Sequence, residues 1–198
     1  MTKYDSDQKF AFYGFGAKFN KKVSMCFPLT FSENNVEVDG LDGILKVYKE
    51  SIQKVELYCP TNFSPVIQKA TEIAIQSFNE LKTYTILLII TDGVIDDMGK
   101  TKDAIVHASD KPLSIIIYGV GNSSFGAMDI LDADEVPLKF RIGEVMKRDI
   151  VQFVPFNKFK YCSSESLENE VLAEVPRQVH EFFSTHGFIS KLPESDII

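Results

Sequence analysis

Tyr84-Thr-Ile-Leu-Leu-Ile-Ile-Thr-Asp-Gly93 decides the fold class of this 198-residue chain. From Tyr84 to Thr91 the run is β-branched and aliphatic without alternation, the pattern of a strand in a parallel sheet covered on both faces by helices. It is therefore expected to be a central strand. Downstream, Asp97 to Ser109 reads as a helix and Leu113-Ser-Ile-Ile-Ile-Tyr-Gly-Val120 as a second buried strand. Strand and helix alternate as in a doubly wound α/β fold, and the right-handed crossover rule sets its hand. Ile150 to Val154 adds a short strand, and Leu167 to Phe183 a closing amphipathic helix that Pro176 must begin or kink.

Upstream of the run, Ser64-Pro65 starts a helix that Val66, Ile67, Ala70, Ile73, Ala74 and Phe78 propagate. Gly40 to Val55 places Leu41, Ile44, Leu45, Tyr48 and Ile52 at helical spacing, predicting another. Phe10 to Gly16 and Val23 to Leu29, β-favouring runs around the polar Asn20-Lys21-Lys22, predict a hairpin. No repeat or low-complexity linker divides the chain, so a single domain over residues 1–190 with a tail at 191–198 is expected.

Composition excludes several function classes. A net charge of −7 and a pI near 5.0 oppose nucleic acid, because an acidic surface cannot displace the counterions of phosphates. No Lys/Arg cluster stands beside an amphipathic helix, and the longest apolar stretch, Ile86 to Ile90, is too short to span a bilayer, so direct membrane insertion is not expected. Cys26, Cys59 and Cys162 are odd in number and lack C-x-x-C spacing, which suggests neither zinc nor a disulfide framework. A reducing, cytoplasmic setting fits.

In open α/β sheets, ligands sit beyond the carboxyl ends of the strands, which directs attention to Thr91-Asp92-Gly93. Asp92 there is either a hard oxygen ligand for a cation or a cap for the helix that follows. The loop Cys59-Pro-Thr-Asn-Phe-Ser-Pro65 enters a helix, where a hydroxyl either binds metal or accepts the helix's free N–H groups. Asp96-Asp97 reads as a solvated helix N-terminus favoured by the dipole, and Asp132, Asp134 and Glu135 as a solvated acidic loop without EF-hand spacing. A haloacid-dehalogenase-like phosphatase needs a nucleophilic Asp where Ile90 stands. Gly14-Phe-Gly16 and Gly119-Val-Gly121 do not continue to the third glycine of a dinucleotide-binding loop, and His107, His180 and His186 are scattered. A non-enzymatic chain is expected.

Phe15-Gly-Ala-Lys18, Pro60-Thr-Asn-Phe63, Leu88-Ile-Ile-Thr-Asp-Gly-Val94, Ser114-Ile-Ile-Ile117 and Arg148-Asp-Ile-Val-Gln-Phe-Val-Pro-Phe156 occur in this order. The chain resembles the copine family over Tyr4 to Gly187. That resemblance implies a von Willebrand A-like, doubly wound α/β fold with helices on both faces and a metal-ion-dependent adhesion site. It implies Thr61 and Asp92 as metal ligands, Mg²⁺ or Mn²⁺ as the ion, and a protein partner whose carboxylate completes the coordination in calcium- and membrane-linked signalling. The family's first strand and Asp-x-Ser-x-Ser loop are expected upstream of Tyr4 and are missing; Asp5-Ser6-Asp7 matches the segment leading into the second strand. Loss of that central strand predicts two open edges, to be closed by joining the half-sheets or by a homodimer. A substrate-binding domain of a copine-like RING ubiquitin ligase is an alternative, although no RING ligands are encoded here; a metal-free structural remnant is another. Membrane attachment in copines is the work of C2 domains, so peripheral membrane association is expected only of the full-length protein.

Overall fold

A computed structural model describes residues 5, 7–133, 137–140 and 143–188 of the chain. Ser6, Asp134, Glu135 and the expected tail 191–198 lie outside the described residues. Two compact units are formed, Met1–Val66 with Ile95–Asp97, and Ile67–Val94 with Met98–Ile198.

The first unit begins with β1 (Lys9–Ala11), β2 (Tyr13–Gly14), β3 (Ala17–Phe19), β4 (Lys22–Ser24), β5 (Phe27–Pro28) and β6 (Glu37–Asp39). It continues with α1 (Gly40–Ser51) and β7 (Glu56–Leu57). The hairpin expected from the two aromatic runs is present. Its turn is Asn20-Lys21, both at positive φ (49° and 62°), the combination whose twist matches a two-residue hairpin. Ala17↔Ser24, Lys18↔Val23 and Phe19↔Lys22 pair antiparallel, and Tyr13↔Pro28 and Gly14↔Phe27 continue the ladder in the same register. On its other side β3 pairs with β7, and β1 pairs with β6, so every ladder of this unit is antiparallel. Phe19, Phe27 and Phe31 pack ring against ring, Phe27 stacked on Phe31 and Phe19 set at an angle to both, with Phe19 and Phe27 ring centroids 4.7 Å apart. Phe63 is fully buried and meets Phe15 edge-on at 5.6 Å.

Helix α1 ends four residues before the expected Val55 because its last turn closes on itself: the Ser51 hydroxyl and the Ile52 N–H both donate to the Tyr48 carbonyl. Its inward residues are Ile44, Val47 and Ser51, whereas Leu41, Leu45, Tyr48 and Ile52 are exposed. Helix α2 (Ser64–Leu81) follows, with Pro65 in its first turn, where a missing N–H costs nothing.

The second unit carries β8 (Thr85–Thr91), α3 (Met98–Ala108), β9 (Leu113–Gly119), α4 (Gly126–Asp132), β10 (Val151–Pro155), α5 (Phe156–Phe159), α6 (Ser164–Val171) and α7 (Val175–Thr185). β8, β9 and β10 form a parallel sheet in the order β10-β9-β8. The chain is thus α/β, with a parallel three-stranded sheet as the long apolar runs require. One expectation is corrected. β9, not β8, is the central strand: Leu113 to Ile117 is fully buried, whereas β8 pairs with β9 alone among the described residues and leaves Ile90 57% exposed. Apolarity on both faces does not distinguish a central strand from an edge strand, because it reports face burial and not ladder partners.

Pro176 begins a segment. α6 and α7 replace the single expected helix, with Pro176 in the first turn of α7 and the Ser163 hydroxyl accepting the Ser166 N–H at the start of α6. Phe182 of α7 is buried against Phe78 and Tyr84, at 5.3 and 5.7 Å between ring centroids. Arg148 joins these parts. One guanidinium nitrogen donates to the Tyr84 hydroxyl (3.0 Å) and the Gln178 carbonyl (3.1 Å), and the other to the carbonyls of Lys111 (2.5 Å) and Leu113 (3.0 Å). The guanidinium also lies 5.4 Å from the centre of the Phe182 ring. Burial raises the Tyr84 hydroxyl above its ordinary pKa, against the lowering pull of Arg148, so it stays neutral and available to both Arg148 and Ser114.

A lysine offers a single ammonium in place of this planar fork and cannot serve four divergent acceptors. Arg148→Lys is expected to lose about 1–3 kcal/mol of stability, the cost of buried carbonyls left without donors, as measured by urea unfolding.

Candidate functional site

At the carboxyl end of β8 the backbone is pinned by its own side chain and by its neighbour. The buried Thr91 hydroxyl accepts the Gly93 N–H at 3.2 Å, while the Thr91 carbonyl accepts the Val120 N–H at 2.8 Å. Gly93 follows with φ of 110°, open to glycine and strained for other residues. A Cβ there would stand 2.9 Å from the Phe125 ring, and one at Gly119 would stand 2.7 Å from it. Both glycines therefore make room for Phe125 across the tips of β8 and β9, a role beyond the sharp turn that sequence suggests. Asp92, just before Gly93, is exposed, and its carboxylate accepts no hydrogen bond among the described residues.

The alternative in which Asp92 caps the following helix is not what forms, since α3 starts only at Met98. Nor does Asp97 merely sit in solvent at that helix. Its Oδ1 accepts the Phe63 N–H and its Oδ2 the Ser64 N–H, each at 3.0 Å, which places the carboxylate on the free N–H groups that open α2. Asp96 acts one step earlier: its Oδ2 accepts the Thr61 N–H at 2.6 Å, and its own N–H donates to the Thr61 carbonyl at 2.8 Å. The solvated-terminus reading of Asp96-Asp97 is corrected by these contacts. Carboxylate at a helix N-terminus is the right chemistry, and the N–H groups that Asp97 meets include those that open α2, a partnership that a separation of 33 to 34 residues hides from local reading.

Thr61 is half-buried in the loop that contains the cis Cys59–Pro60 bond, and its hydroxyl makes no hydrogen bond among the described residues. The helix's N–H groups go to Asp97, so Thr61 is not the cap. Thr61 belongs to the first compact unit and Asp92 to the second; each offers one oxygen-bearing side chain within its own surroundings. Among the described residues there is no group of three or more His, Cys, Asp or Glu that could hold a metal ion. Mg²⁺ prefers six oxygens in octahedral geometry. Asp92 by itself supplies one carboxylate, so a partner and water would contribute the remaining oxygens.

Other candidate residues serve local structure. Asp7 accepts the Lys9 N–H at the start of β1, as a segment leading into a strand does. His186 Nδ1 lies 2.8 Å from the Phe182 carbonyl and His180 Nε2 lies 3.4 Å from the Ser184 hydroxyl, contacts within one turn of α7 and its end. No helix among the described residues is long and apolar enough to cross a membrane.

A comparison with protein families matches the copine model over residues 1–191. The two kinds of aspartate should separate cleanly in stability measurements. Asp97→Ala is expected to cost about 1–2 kcal/mol through loss of the α2 cap, whereas Asp92→Ala should stay within about 0.5 kcal/mol of the parent, both by urea unfolding.

Proposed function

Because this chain belongs to the copine family, we propose that it is a non-enzymatic protein-binding module whose partner docks at the carboxyl end of β8, around Asp92. One observation carries the reading. Of the three aspartates that follow β8, Asp96 and Asp97 are engaged by backbone N–H groups, and Asp92 alone presents an uncommitted carboxylate to solvent on a pinned turn. An exposed charge that contributes nothing to the fold is free to contribute to recognition. The three-stranded parallel sheet and its flanking helices agree with part of a doubly wound, von Willebrand A-like fold.

A divalent ion, Mg²⁺ or Mn²⁺, is the link we propose between Asp92 and an acidic group of the partner. When bound, such an ion supplies positive charge that lets two carboxylates share one site. Thr91 and Gly93 fix the turn beside Asp92, and the Phe125 ring packs over Gly93 and Gly119. A cytoplasmic location, peripheral to membranes when C2 domains accompany the module, follows from the same family reading. A metal-free structural role is the second reading, favoured by the lack of a three-residue acidic group among the described residues.

Isothermal titration with MgCl₂ and MnCl₂ distinguishes them. The metal-linked reading expects weak, roughly millimolar binding, near −4 kcal/mol, that disappears in Asp92→Ala; absence of binding heat in the parent chain leaves the metal-free role.

A further inference from the structure

Helix α1 carries a second candidate surface, independent of the β8 tip. Leu41, Leu45, Tyr48 and Ile52 are 63%, 46%, 51% and 50% exposed. They recur at intervals of four, three and four residues, an average of about 3.7 that follows the 3.6-residue turn and keeps them on one stripe of the helix. The face that holds α1 to its own unit is a different one: Ser51 is buried, Ile44 and Val47 are half-buried, and Gly43 lies against Val38, with 3.6 Å from Val38 to a Cβ built at Gly43. The seam is thus surplus to the fold. Four adjacent large apolar side chains in water are a costly surface for a lone domain to keep.

The charges beside the seam identify what covers it. Asp42 and Lys49 are both exposed and follow Leu41 and Tyr48 directly, so they lie along the same flank, one near each end. Lay a second copy of α1 antiparallel across the first, Leu45 opposite Tyr48 of the second copy and Leu41 opposite Ile52. Asp42 then approaches Lys49 of the second copy, and Lys49 approaches its Asp42. A twofold axis makes both pairs at once, the self-complementarity that a closed dimer needs. A parallel pair would instead set these charges against Ile44 and Ser51, which are turned into the fold.

We propose that two copies of this chain associate through α1, with Leu41, Leu45, Tyr48 and Ile52 forming an antiparallel seam and Asp42 and Lys49 fixing its direction. Four side chains over about three helical turns make a small interface, so association is weak and concentration-dependent.

Sedimentation equilibrium of the full chain at low salt, across roughly 10 μM to 1 mM, tests this. The parent should pass from monomer to dimer over that range. Leu45→Glu should abolish the dimer, weakening it by more than about tenfold. Asp42→Lys and Lys49→Asp should each weaken it by roughly three- to tenfold, in keeping with exposed ion pairs formed twice, and the doubly reversed chain, Asp42→Lys with Lys49→Asp, should recover the parent affinity. All these positions are exposed, and far-UV circular dichroism checks that each variant stays folded. A chain monomeric throughout overturns the proposal, even if it binds an unrelated amphipathic helix. So does a dimer indifferent to Leu45→Glu, which would place the contact elsewhere, and so does failure of the double reversal to restore what the single ones lose.

Discussion

Two N–H groups at the start of α2, those of Phe63 and Ser64, have no carbonyl a turn earlier to receive them, and Asp97 meets both with one carboxylate. Asp96 holds Thr61 in the preceding loop by a reciprocal backbone and side-chain pair. This constraint does more than start a helix. It engages oxygens of Asp96 and Asp97 with backbone N–H groups, whereas the Asp92 carboxylate accepts no hydrogen bond among the described residues. A functional reading that pooled all three aspartates into one acidic site would assign the same oxygens to two tasks. A cation at Asp97 would have to share oxygens already engaged by the cap, whereas the Asp92 carboxylate accepts no hydrogen bond among the described residues.

The same logic explains Phe125. Its ring lies where Cβ atoms of residues 93 and 119 would be, so glycine at both positions is a packing requirement at the strand tips. The Thr91 hydroxyl, turned back onto the Gly93 N–H, holds the turn under the ring. A pinned turn beside a packed aromatic presents Asp92 with little conformational freedom left to lose on binding, which favours recognition over an unsupported loop.

Much of the fold was legible from residue pattern. The runs at 85–91 and 113–119 are apolar enough to demand burial, and they pair in parallel; Asn20-Lys21 announces its hairpin; Pro176 opens a helix. What was not legible depends on partners distant in sequence. β8 reads like β9 residue for residue, yet Ile90 is exposed, because strand position in a sheet is a property of neighbours. α4 (Gly126–Asp132) has too short an apolar pattern for the period to register, though Met128 and Leu131 are fully buried. Of the candidate site, the position of Asp92 could be inferred from the rule that ligands gather beyond strand ends. The engagement of Asp96 and Asp97 could not, for their acceptor role is defined by a loop more than thirty residues away.

Helix α1 shows the complementary limit. Leu41, Ile44, Leu45, Tyr48 and Ile52 share helical spacing, and pattern alone assigns all five to a core. The fold instead turns Ile44, Val47 and Ser51 inward and leaves the other four outside, a choice set by what α1 packs against and not by its own period. The net charge of −7 opposes any meeting of two such faces at long range, while Asp42 and Lys49 favour it at contact. Salt screens both, yet by different amounts: repulsion summed over two whole molecules acts beyond a Debye length and fades first, whereas the close pair and the apolar seam fade later or not at all. Association through α1 therefore depends on apolar contact for its strength and on the two charges for its direction.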